Sequence, residues 1–202
     1  KATVTTGSGN DVITVDTATV TKAITLGAGD DRLDLSTLAT VNATTTAAIA
    51  GGAGSDTVVL AAANAAVANL SSIANSAIFK DKVTGFEKLE IANNLTGAAT
   101  VNVGNLAYNY VITNAIATHD LTLADMANNG TVELNATGAA ANEVIVLVKD
   151  AATNNTDVLN VVLNVANDVN NGTLTVANVE TINVKTEDTD KIGRASCRER
   201  VS

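Results

Sequence analysis

Three copies of one turn occupy the first third of the chain and limit what it can fold into more than any other feature. Gly7-Ser8-Gly9-Asn10-Asp11, Gly27-Ala28-Gly29-Asp30-Asp31 and Gly52-Ala53-Gly54-Ser55-Asp56 all read G-x-G-x-D. Each runs directly into a short strand-forming stretch, at 12–15, 32–35 and 57–60. A phrase that recurs at short spacing marks a repeat architecture, in which each unit buries its apolar face against its neighbours. The glycines allow positive φ and turn carbonyls inward, and the aspartate adds a hard anionic oxygen at the turn exit. Carbonyl and carboxylate oxygens are the ligands calcium prefers. Gly7, Gly9, Asp11, Gly27, Gly29, Asp31, Gly52, Gly54 and Asp56 are therefore the candidate metal-site residues. Ordinary hairpins use the same residue types, which is the competing reading of these turns.

The phrase resembles the RTX nonapeptide repeat, G-G-x-G-x-D-x-U-x, in which U is a large apolar residue. Residues 51–59 match every fixed position, with Val58 as U. The other two copies carry Thr6 and Leu26 in place of the first glycine and keep Ile13 and Leu33 at U. The resemblance implies a parallel β-roll with calcium held between stacked turns. The copies are 20 and 25 residues apart rather than in tandem, which implies one calcium-binding edge per coil and an ordinary turn on the other. The five extra residues before the third copy are expected to disturb the second site more than the first.

The expected fold class is all-β, a parallel β-roll or β-solenoid with one short helical insertion. The chain has no Trp or Pro and only two Phe and two Tyr, and Asn, Thr, Ala and Val fill most positions, which suits stacked strands with small side chains. Residues 1–60 read as the calcium-binding roll and 61–82 as a short helix and connector. Residues 83–191 read as an Asn/Thr/Val-rich β-solenoid or β-sandwich. Within 61–77, Val67, Leu70, Ile73 and Ala74 fall at helical spacing. Further strands are expected at 22–26, 101–103, 110–113, 121–123, 131–134, 143–148, 158–165, 174–176 and 181–184, separated by Asn/Gly/Ala turns.

A second phrase recurs around Glu87 and Glu180, as Val83-Thr84-Gly85-Phe86-Glu87-Lys88-Leu89-Glu90-Ile91 and Val176-Ala177-Asn178-Val179-Glu180-Thr181-Ile182-Asn183-Val184. Both glutamates are read first as solvated strand residues. Glycine-aspartate turns, an Ala/Asn-rich helix and such Glu-containing strands together resemble bacterial S-layer proteins with RTX repeats and related secreted surface proteins. That resemblance covers residues 1–190 or so and implies type I secretion as an unfolded chain, with the signal beyond this segment.

The last eleven residues, 192–202, hold three of the four arginines and the single cysteine, Cys197. They resemble a translated sequencing-adapter read-through and are expected to be an assembly artefact with no part in the fold. Without them, nine basic and twenty acidic residues leave a formal charge of −11, which disfavours nucleic acid and anionic membrane and favours divalent cations. No apolar run is long enough to span a membrane. The chain begins at Lys1 without a signal peptide and is expected to be an internal fragment of a longer protein.

Catalytic groups are scarce. His119 is the single histidine and reads as a turn residue beside Asp120, so neither a His-based zinc cluster nor a Ser-His-Asp device is expected. Asp150, Asp157 and Asp168 sit in Asn-rich turns without flanking glycines, a weak pattern for further calcium.

The expected function is structural and non-enzymatic. The chain reads as a calcium-binding segment of an extracellular S-layer or cell-surface protein, folding on calcium outside the cell. It would then self-associate in a surface array, with a cell-surface glycan as a possible anchor. The alternatives are a calcium-binding accessory module of a secreted RTX hydrolase or epimerase, and an adhesin stalk.

Overall fold

The computed structural model describes residues 3–16, 19–66, 68–92, 95–114, 118–135, 138–164 and 171–187. Among them the chain runs β1 (Val4–Thr5), β2 (Val12–Thr14), β3 (Ile24–Ala28), β4 (Arg32–Asp34), α1 (Val41–Thr44), β5 (Ile49–Ala53) and β6 (Thr57–Leu60). It continues through α2 (Ala62–Ala65), α3 (Ile73–Lys82), β7 (Val83–Thr84), β8 (Lys88–Ile91), β9 (Ala99–Asn102), α4 (Val103–Leu106) and β10 (Tyr110–Thr113). The remainder is β11 (Leu121–Met126), β12 (Gly130–Leu134), β13 (Gly138–Val148), β14 (Val158–Leu163), β15 (Asn171–Val176) and β16 (Thr181–Thr186).

The even-numbered strands lie side by side in chain order, β2 to β16, in one eight-stranded sheet. The odd-numbered strands form two four-stranded sheets, β1-β3-β5-β7 and β9-β11-β13-β15. Every pairing is parallel. Parallel neighbours need a crossover between them, and here an intervening odd-numbered strand with its turns supplies it. The fold is thus mostly β, with all-parallel sheets and a few short helices. Sandwich sheets are antiparallel, so the sandwich expected as one option for residues 83–191 does not match the pairing seen there.

Register explains why so few aromatic residues suffice. In the eight-stranded sheet Leu33, Val58, Leu89, Val111, Val132 and Val161 stand in successive register and all are buried. The odd-numbered strands repeat the device with Ile24, Ile49 and Val83, and again with Val101, Leu123 and Val146. Alternation along each strand sends every second residue to the same face, so in-register stacking turns single aliphatics into continuous buried columns. Burying each such side chain contributes about 1.5–3 kcal/mol.

The extra residues of the longer repeats are absorbed away from the glycine turns. Between β4 and β5 they form α1, and Gly27 still pairs with Gly52 and Arg32 with Thr57. The expected disturbance of the second turn pair therefore does not occur. The longer insertion between β6 and β7 holds α2 and α3.

The helical insertion falls within the expected 61–82 but differs from expectation in face and number. Helix α3 starts where Ser72 accepts the Asn75 amide at 3.3 Å, an N-cap. It buries Phe79 and Ser76 while Ile73 is 80% exposed; Ala74 is exposed too, Leu70 is buried before the helix begins, and Val67 lies outside the described residues. One buried aromatic one turn later outweighs the spacing of small aliphatics. Lys82 at the end of α3 donates to the carbonyls of Asn42 (3.0 Å) and Thr45 (2.6 Å), tying the helix to α1. Instead of one helical piece, four short ones occur among the described residues.

Candidate metal centre

The three glycine turns sit at the entrances to β2, β4 and β6 and stack on one another. Ser8 bridges Ala28, while Gly27 pairs with Gly52 and Ala28 with Ala53. Gly7, Gly27 and Gly52 consequently form one column, and Gly9, Gly29 and Gly54 the next. Two conditions make glycine obligatory at Gly52. Its φ is +128°, and a Cβ there would overlap the carbonyl of Gly27. Gly27 stands in the same relation to the carbonyl of Gly7.

Asp11, Asp31 and Asp56 follow these columns as a ladder of carboxylates. Asp31 Oδ1 accepts the Asp11 amide at 2.7 Å, and Asp56 Oδ1 accepts the Asp31 amide at 2.8 Å. The adjacent residues form a second ladder running the other way. Asn10 Oδ1 accepts the Asp30 amide at 2.8 Å, and Asp30 Oδ1 accepts the Ser55 amide at 2.9 Å. The Asp30, Asp31 and Asp56 carboxylates thus each satisfy an amide of a neighbouring turn. Hydrogen bonds to charged groups contribute about 1.5–3 kcal/mol each.

Glu87 extends the first ladder: its Oε2 accepts the Asp56 amide at 2.8 Å. Glu180 does the same for Asp157, through Oε2 at 2.9 Å. Both glutamates stand just before their strands and have exposed side chains. Both are solvated as expected, but they precede their strands and each carboxylate also holds the amide of a buried aspartate. The recurrence of the Glu phrase was the signal in the sequence; its meaning required the register.

Asp31 and Asp56 are 1% and 0% exposed, whereas Asp11 is half-buried. The Oδ2 atoms of Asp31 and Asp56 are buried without a hydrogen-bond partner. Burial pushes the Asp56 carboxyl up from its ordinary value. The Asp31 amide opposes the shift, and the charges of Asp31, Glu87 and Asp30 add to it. Buried carboxylate oxygens left unpaired are costly. Two such oxygens at stacked turns are the hard anionic donors a calcium ion accepts. Among the described residues no group of three or more His, Cys, Asp or Glu side chains converges as a metal cluster, so further ligands at these turns would have to be backbone or solvent oxygens.

The outer face of the large sheet carries its own polar network. Arg32 donates to Glu90 through Nε (3.0 Å) and Nη2 (2.9 Å), and lies 3.7 Å from Asp34. The Glu90 hydrogen bond is the main reason the Arg32 guanidinium is held above its ordinary value. Tyr110 donates to Glu133 at 2.6 Å and lies under Lys88 Nζ. These groups satisfy one another and leave no converging acid-base set. His119 is half-buried, its Nδ1 3.1 Å from the Leu95 carbonyl and from Thr118 Oγ1. Asp168, Cys197 and all of residues 192–202 lie outside the described residues.

No family model, no curated protein and no solved structure matches this chain.

Proposed function

We propose that this chain is a calcium-binding structural segment of a secreted, S-layer-like surface protein, built as a parallel β-roll continuing into a β-solenoid. The observation that carries the reading is the pair of stacked, buried aspartates, Asp31 and Asp56, each with one unpartnered carboxylate oxygen at a glycine turn. Asp31 and Asp56 would hold the ion through Oδ2, and Asp11 would contribute at the outer turn. Bound calcium supplies the positive charge that the buried carboxylates lack. The chain's own residues do the rest: the glycines admit the close stacking, and the ladder amides fix Oδ1 of each aspartate. The side-by-side even-numbered strands support a solenoid. The acidic excess supports a partner that is cationic.

The proposed mechanism is coupling of folding to calcium. An ion that binds only the folded chain stabilises it by mass action, and extracellular calcium modules work at weak, roughly 10⁻⁴–10⁻³ M, affinities. Secretion as an unfolded chain, self-association in a surface layer and a glycan anchor belong to this reading, as does the absence of an enzymatic role. Calorimetric titration of Asp31→Ala against the parent chain tests it. Asp31 stands between two turns, so the variant should lose both affinity and bound ions. Unchanged affinity and stoichiometry would remove Asp31 and the glycine turns from the metal centre.

A further inference from the structure

We infer that Asp157 and Glu180 form a second divalent-cation site, of calcium-binding chemistry, outside the glycine turns. Asp157 is 0% exposed. Its Oδ1 accepts one hydrogen bond, from Asn154 Nδ2 at 2.9 Å, and its Oδ2 is buried without a partner. The Asp157 amide donates to Glu180 Oε2 at 2.9 Å, which brings a second carboxylate to the same turn. Among the described residues no lysine or arginine forms an ion pair with either group; the cations that pair are Arg32 and Lys185, with Asp34, Glu90 and Glu187. Two carboxylates with no cation and one bare buried oxygen are an arrangement that a positive ion completes.

The same arrangement occurs at Asp56, a buried aspartate before an even-numbered strand. Its amide is held by the glutamate before the next even-numbered strand, and its Oδ2 is likewise unpartnered. The two Glu phrases of the sequence mark these two places. What differs is the turn. Before β14 the chain uses Asp150, at φ +60°, and an Asn154-centred loop in place of G-x-G-x-D. Asn154 Oδ1 accepts from the Asn155 amide (3.1 Å) and Thr156 Oγ1 (3.3 Å), which sets its amide group to hold Asp157. All-oxygen donors in an irregular loop favour calcium over magnesium, which demands near-octahedral geometry and dehydrates reluctantly. Glu180 is exposed, so its own carboxylate is open to an arriving ion.

The site does not depend on the glycine turns, and its test separates the two. Equilibrium dialysis of the full chain with radioactive calcium would compare the parent, Asp157→Asn, Glu180→Gln and the double variant Asp31→Asn/Asp56→Asn. Glu180→Gln keeps an acceptor for the Asp157 amide and removes only charge, so it reads the site even where Asp157→Asn disturbs the loop. The expected result is one ion fewer, or an affinity at least tenfold weaker for one ion, in Asp157→Asn and Glu180→Gln. The double variant should keep that ion and lose the others. Parent-like stoichiometry and affinity in Glu180→Gln and in a folded Asp157→Asn would overturn the inference, as would a parent chain that binds no calcium.

Discussion

At the residue scale the informative feature is a carboxylate doing two jobs with its two oxygens. Asp56 Oδ1 satisfies the Asp31 amide, while Oδ2 is buried and bare. Its carboxyl is pushed up chiefly by burial, so the folded chain holds the proton to higher pH than the unfolded chain. The stability contributed by the protonated form is complete below the ordinary carboxylate range and is lost as pH rises through the folded-state value. In EDTA, the stability advantage of the parent over Asp56→Asn should therefore fall as pH rises above the ordinary carboxylate range. Calcium should flatten that fall, because the ion favours the ionised carboxylate. Denaturant melts of both proteins across pH would show it, and a difference independent of pH in EDTA would refute the assignment. Backbone geometry gives a second residue-scale expectation. Gly52→Ala meets both a φ of +128° and the Gly27 carbonyl, and strain of this kind costs on the order of 1–3 kcal/mol before the overlap is counted. Gly97→Ala, with open space around it, should change the urea midpoint little. Equal losses at the two positions would contradict tight stacking at Gly52.

Elements show where a sequence is legible. Strands β6 and β10 occupy their expected residues, and β2, β4 and β12 differ by a residue at one end, because β-branched runs bounded by Gly, Asn and Asp define a strand locally. The glycine turns were equally legible as turns, since Gly52 and Gly27 need glycine for reasons confined to the turn and its stacked neighbour. The helix was not. Spacing of Leu70, Ile73 and Ala74 suggested one face, but which face is buried depends on what lies opposite, and Phe79 has the larger apolar surface to hide. Glu87 and Glu180 were visible as a repeat, yet their partners, Asp56 and Asp157, are 31 and 23 residues away and meet them only through parallel register. Phe79 anchors α3 to the rest of the molecule, so Phe79→Ala should cost about 3–5 kcal/mol. Ser72→Ala, which removes only the cap, should cost about 1 kcal/mol. Urea denaturation of both variants gives the ratio; a Phe79→Ala loss as small as the cap's would mean that α3 is an appendage and not part of the core.

For the whole molecule, the eight-stranded sheet ties the glycine turns to everything after them. Asp11, Asp31 and Asp56 precede β2, β4 and β6, and β6 continues through β8 to β16 without a change of direction. In a parallel sheet of strands in chain order each strand is held by its two neighbours, so order gained at one edge strand passes to the next. Calcium at Asp31 and Asp56 should therefore act first on β2, β4 and β6, and reach β8 through Glu87. Hydrogen exchange of the full chain in EDTA, magnesium and calcium would resolve this. Calcium should slow exchange of the Asp11, Asp31 and Asp56 amides most, since the first two donate to the carboxylates that would hold the ion and the third belongs to one of those residues. The amides of α3 should change less, because its cap and its Phe79 packing involve no carboxylate. Magnesium should leave the three amides close to their rates in EDTA, since the turns offer irregular oxygen donors and not the octahedron that magnesium demands. Equal protection in all three conditions would mean that the carboxylate ladder is complete without an ion. The glycine turns would then be self-sufficient, with the Asp and Glu side chains serving only to satisfy amides of the neighbouring turn.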